Sequence, residues 1–235
     1  MVVSQKSPAQ YLGPRLSLRW YRVLKPWHRL LMNGYFDIHM RGREHLQSGR
    51  ASVLAVKHVS KWDPLAIALL QPDPLYYIAR DEEFQGVQGW FMTRLGAFPV
   101  GRDSAQAATV KALESVLLAQ KTLAIFPEGK LVPQGVGEIK PGLGRMVTRF
   151  EAKYNCSIPV IPVAIAYKPA PGWRARVSIS VRPPLYAAEL CHSASLARDA
   201  KGISRQKAVA RELTAEIAVA LQAAMAEPPS EPPSD

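Results

Sequence analysis

Two cysteines, five histidines and no acidic residue before Asp37 are the sparsest features of this 235-residue chain. Each excludes something. Cys156 and Cys191 stand far apart and form no CxxC or metal-ligand spacing, so there is no disulfide framework and no support for a thiolate metal site. A reducing compartment is expected. No uncharged apolar run is long enough to cross a bilayer. The first residues, Met1 to Pro8, lack the apolar core of a signal peptide. Together these lead us to expect a cytoplasmic protein with no transmembrane helix. An acid-free N-terminus is also a mark of organelle transit peptides, but the large aromatics just downstream argue for mature sequence. Internal repeats and interdomain linkers are missing too.

What is abundant is positive charge. Lys and Arg number 30 against 19 Asp and Glu, giving a net charge of +11 and a pI near 9.8. That balance implies an anionic partner, whether nucleic acid, an anionic membrane surface or a phosphorylated substrate. Charge alone does not choose among them. With 48% hydrophobic residues the chain can bury a sizeable core, and its length suits one larger α/β domain. Residues 15–36 interleave Arg and Lys with Trp, Tyr, Leu and Met. They read as a helix, bent or divided at Pro26. Such a segment suits the headgroup region of a membrane, or an N-terminal helix packed on the domain with a solvated Arg face. The two are compatible, one face serving each.

Beyond this segment the pattern alternates strand and helix. Strands are expected at 36–41, 51–56, 75–79, 98–100, 122–126, 158–165 and 175–181; helices are expected at 63–70, 84–95, 104–120, 142–154 and 204–226. The last helix repeats Ile203, Val209, Leu213, Ile217 and Leu221 near helical spacing. The fold class is α/β: a single domain with a mixed, mostly parallel sheet flanked by helices. We divide the chain into an N-terminal helical, possible membrane-associating segment at 1–36, a catalytic domain at 37–226, and a Pro-rich tail at 227–235, expected to be disordered.

Three polar groups fall just past strand ends, where open α/β sheets bind ligands. The first is His58, five residues before Asp63, in His58-Val-Ser-Lys-Trp-Asp63-Pro64. Asp at an N-cap and Pro at the first helical position make a helix start, so imidazole and carboxylate meet across a short loop. That pairing suits general-base chemistry on a hydroxyl. Alone it is weak, since an N-capping Asp beside a loop His is ordinary. The second group is Arg102, ending Gly96-Ala-Phe-Pro-Val-Gly-Arg102; alone it reads as a surface Arg beyond a turn. The third is Glu128, held between Pro127 and Gly129 in a rigid turn after a buried strand. A base, its orienting acid, an Arg and a Glu converging on one crevice are harder to ascribe to chance.

In this order the motifs resemble the four-motif pattern of the glycerolipid acyltransferases, nearest the 1-acyl-glycerol-3-phosphate acyltransferase family. They are His58 to Asp63, Gly96 to Arg102, Phe126-Pro-Glu-Gly129 and Ile158-Pro-Val-Ile-Pro-Val163, with Met40 to Leu46 as the lead-in; the likeness runs from about Asp37 to Pro183. It implies an enzyme of phospholipid biosynthesis. A fatty acyl group would pass from acyl-carrier protein or coenzyme A to the free hydroxyl of 1-acyl-glycerol-3-phosphate, making phosphatidic acid. His58 would be the general base and Asp63 its orienting carboxylate. Arg102, Glu128, Gly129, Lys130 and Lys140 would fall in the acceptor site, and the fourth motif would line the site for the acyl chain. No bound cofactor or metal is implied; the donor thioester is a substrate. The expected partners are that donor, a lysophospholipid acceptor and an anionic membrane surface on which the protein sits peripherally, with no nucleic acid.

The chain departs from the family at two places. Lys57 stands where Asn usually precedes the His, and Lys130-Leu131-Val132 follows the third motif in place of Thr-Arg-Ser. The second change removes an Arg expected near the acceptor phosphate, a charge that Lys130 supplies one position early. It leaves open another lysophospholipid or a lipid-like alcohol as acceptor. Two further classes stand beside these: a non-catalytic basic membrane- or RNA-binding module, and a thioesterase-like hydrolase using the same base on water.

Overall fold

Strands β2 (Ser52–Val56) and β5 (Thr122–Ile125) are buried along their whole length, as the apolar runs that encode them require of parallel strands covered on both faces. They lie side by side at the centre of a seven-stranded sheet, ordered β1-β7-β6-β2-β5-β3-β4. The other strands are β1 (Asp37–Arg41), β3 (Leu75–Arg80), β4 (Ala97–Val100), β6 (Val160–Lys168) and β7 (Arg176–Val181). Strands β2 to β6 run parallel; β7 pairs antiparallel with β6, and β1 parallel with β7. This computed structural model describes residues 18–47, 49–80, 96–100, 106–190 and 205–227. The expected helix at 84–95, Arg102, Cys191, Ile203 and the tail beyond residue 227 lie outside them.

Among the described residues, α1 (Leu18–Tyr35) and α2 (Asp63–Ile67) cover one face of the sheet, and α3 (Gln106–Leu118), α4 (Gly142–Tyr154) and α5 (Arg205–Ala226) the other. In α5 the predicted Val209, Leu213, Ile217 and Leu221 are buried, on the side that packs against α4 and β6. Helix α4 ends at Asn155, whose left-handed backbone stops it.

Three expectations change. Helix α1 runs unbroken through Pro26. A proline inside a helix costs about 3 kcal/mol. Burying Tyr21 and Met32 returns roughly 1.5–3 kcal/mol each, enough to hold the helix together. Lys25 adds hydrogen bonds to the carbonyls of Ala68 and Gln71, which fix α1 over the turn that follows α2. Second, α2 begins at Asp63 itself, with Trp62 as its cap residue and no side-chain cap. Third, β6 continues past Ile165 to Lys168, which brings Tyr167 into the core.

Because β2 and β5 are parallel, the segments that leave them emerge at one edge of the sheet. The His58 and Glu128 loops follow adjacent strands and so lie next to each other there.

Candidate active site

The chain leaves β2 at Val56, and the Lys57 amide still bonds to the Val163 carbonyl of β6 at 2.9 Å. Past that point the backbone turns sharply, and Asp63 holds the turn. One carboxylate oxygen, Oδ2, accepts from His58 Nδ1 at 2.9 Å and from the amides of Val59 at 2.6 Å and Ser60 at 2.8 Å. The other, Oδ1, accepts from the Tyr167 hydroxyl at 2.9 Å. Asp63 therefore organises the loop before α2 instead of capping the helix after it. It is fully buried, and four donors offset the cost of keeping a carboxylate out of water.

His58 has 20% of its side chain exposed. With Nδ1 donating to Asp63, the neutral ring carries its lone pair on Nε2, the tautomer that a base needs. Its face stacks on Phe126, centroids 4.2 Å apart and planes 29° from parallel. The third motif thus supplies a wall for the imidazole, a role the spacing alone does not show. Tyr167 was also absent from the sequence expectations. Burial and the neighbouring Asp63 push its hydroxyl well above the ordinary phenol range, so it stays protonated as the donor to Oδ1.

Glu128 is 1% exposed and occupied within the protein. Its Oε2 accepts from the His58 amide at 2.9 Å and the Lys57 ammonium at 3.1 Å; its Oε1 accepts from the Gly137 amide at 2.6 Å. Gly129 follows at φ +64°, and a Cβ there would lie 2.6 Å from Lys140 Nζ, so only glycine lets that ammonium lie over the turn. Lys130 is exposed beside it, as is Leu131, where the resemblance leads one to expect Arg. The structure thus brings together His58, Asp63 and Glu128 in one network, and Gly129 and Lys140 in the adjoining turn. Among the described residues no three His, Cys, Asp or Glu side chains gather as metal ligands would. Burial and Glu151 push the Cys156 thiol up, away from the thiolate a nucleophile requires.

Fold and site together define the class: an α/β enzyme whose site lies where parallel strands end. The Acyltransferase family signature matches residues 37–166, more than half of the chain, and the protein belongs to that family. It is 25% identical over 162 residues to the 1-acyl-sn-glycerol-3-phosphate acyltransferase of Bacillus subtilis, covering 66% of this chain and 77% of that protein. An 80-residue stretch is 31% identical to the 1-acyl-sn-glycerol-3-phosphate acyltransferase of Streptococcus pneumoniae; it spans 33% of this chain and 30% of that protein. The fold is similar to that of the crystallised 1-acyl-sn-glycerophosphate acyltransferase of Thermotoga maritima. The TM-score is 0.60 at 17% identity, over 94% of this chain and 88% of that one.

Proposed function

We propose that the protein transfers a fatty acyl group from a thioester of acyl-carrier protein or coenzyme A to the free hydroxyl of 1-acyl-glycerol-3-phosphate. The observation that carries this is the His58–Asp63 pair, a partly exposed imidazole aligned by a buried carboxylate at 2.9 Å. His58 Nε2 takes the hydroxyl proton as the oxygen attacks the thioester carbonyl. The tetrahedral intermediate collapses with loss of the thiolate, and the imidazolium returns the proton to sulfur. Asp63 stabilises the imidazolium in between. No acyl-enzyme forms and no cofactor takes part. The acceptor phosphate is met by Lys130 and Lys140 around Gly129, and by Arg102, whose fork suits a phosphate. Glu128 acts from beneath, holding the His58 backbone. Leu131 in place of Arg favours a second reading in which the acceptor is another lysophospholipid or a lipid-like alcohol.

Radiolabelled acyl transfer across a panel of lysolipids, with both donors compared, tests this. Phosphatidic acid should dominate the products. A preference for an acceptor without a phosphomonoester would overturn the substrate assignment. Free fatty acid in the absence of any acceptor would mark a hydrolase.

The membrane reading rests on α1. One face is buried through Tyr21, His28 and Met32, while Trp20, Val23, Trp27, Leu30 and Leu31 form an exposed stripe beside Arg19, Arg22 and Arg29. Trp27 is 67% exposed. Among the described residues no helix is long and apolar enough to cross a membrane; a peripheral helix on an anionic surface fits the stripe and the charge. Deleting α1 would uncover the core at Met32, so the test replaces Trp27 and Leu31 with Ser. Loss of two inserted side chains, at roughly 1.5–3 kcal/mol each, should weaken vesicle partition more than tenfold. Flotation with anionic vesicles equal to that of the unaltered protein would remove α1 from the membrane.

A further inference from the structure

We infer that Lys57 is a positioning residue of the catalytic turn, acting through Glu128 on the backbone of His58. Its side chain is fully buried, directly before the base, at the position where the family pattern has a neutral Asn. Its ammonium has three protein acceptors: Glu128, the Val132 carbonyl at 2.6 Å and the His58 carbonyl at 3.3 Å. Val132 in turn donates its amide to the His58 carbonyl at 2.7 Å. Glu128 completes the frame through the amides of His58 and Gly137. The ion pair therefore joins the His58 turn to the loop that carries Lys130, from below and out of reach of substrate.

A buried ion pair is a poor source of stability, because desolvating the two charges offsets most of their attraction; apolar residues of similar volume serve as well or better. What this pair supplies is geometry. An ionised Glu128 accepts two amides from separate loops at once, and the cation beside it offsets the cost of holding that carboxylate in the core. The aim is the direction of the His58 ring, for which a displacement on the order of 1 Å costs about a hundredfold in rate.

This rests on His58 being the base, and the two ideas fail differently. In Lys57→Met, assayed well below its melting temperature, we expect kcat to fall ten- to a hundredfold. Michaelis constants for donor and acceptor should stay within about twofold. The double variant Lys57→Met with Glu128→Gln removes the orphaned charge; its single amide oxygen can keep the His58 amide while the Gly137 amide loses its acceptor, so part of the lost rate should return. Lys57→Asn, the residue of the family pattern at this position, serves in the same assay if the Met variant does not fold. A folded Lys57→Met with unchanged kcat overturns the inference. So does a raised acceptor Michaelis constant at constant kcat, which would put Lys57 in contact with substrate. If instead His58→Ala stays active, the base assignment is what has failed.

Discussion

His58→Ala should lose acyl transfer by a factor of about a hundred to ten thousand in kcat, the range that removing a positioned general base produces. Its Michaelis constants should change little, because the imidazole acts on one hydroxyl proton and not on the phosphate or the acyl chain. Stability should change little as well. The ring is 20% exposed, and its main packing contact is the stack on Phe126, worth roughly 0.5–1.5 kcal/mol. The anchor of the turn is Asp63, whose bonds to the Val59 and Ser60 amides do not pass through the imidazole. The variant should therefore be folded, bind both substrates and be slow. The slot left against Phe126 offers a second check: added imidazole should restore part of the rate. Near-normal transfer in a folded sample would make the general-base assignment wrong.

How much of this was legible in the sequence depends on the range of the signal. β2 and β5 are plain as apolar runs because parallel strands bury both faces. Helices α4 and α5 show through periodic spacing and end signals. Local pattern misleads where an element ends inside the core. The apolar sequence from Ala66 to Leu70 continues past the end of α2 because Leu70 stays buried as a turn residue. β6 outlasts its apolar run because Tyr167 enters the core polar end first, toward a carboxylate 104 residues away. No local feature announces such a bond. Glu128 shows the same limit: a carboxylate between Pro and Gly reads as an exposed turn until an adjacent strand sets the His58 amide and the Lys57 ammonium against it. Lys57 was visible as a departure from the family, but its burial was not. The His58–Asp63 pair was visible because both partners sit on one loop; that Asp63 ties the loop instead of capping α2 required the coordinates.

That distinction sets the expectation for Asp63, which two substitutions separate. In Asp63→Asn the amide oxygen can occupy the Oδ2 position and keep the three donors there, while the amide nitrogen faces the Tyr167 hydroxyl. A hydroxyl can turn from donor to acceptor, so the hydrogen-bond count is preserved and the stability loss should stay near 1 kcal/mol, set by exchanging a charged acceptor for a neutral one. The rate should still fall a hundredfold or more, because a neutral amide does not stabilise an imidazolium at 2.9 Å as a carboxylate does. Asp63→Ala removes both oxygens. It leaves the Val59 and Ser60 amides and the Tyr167 hydroxyl without their acceptor in a buried site. At about 1–3 kcal/mol for each unsatisfied group, the fold itself is threatened. Thermal melting with kinetics on the same samples checks this: Asn should be slow and stable, Ala slow and markedly less stable. If Asn keeps most of the rate, Asp63 contributes the shape of the turn alone and its charge has no part in the chemistry. If Ala melts with the unaltered protein, the four-donor account of the turn is wrong.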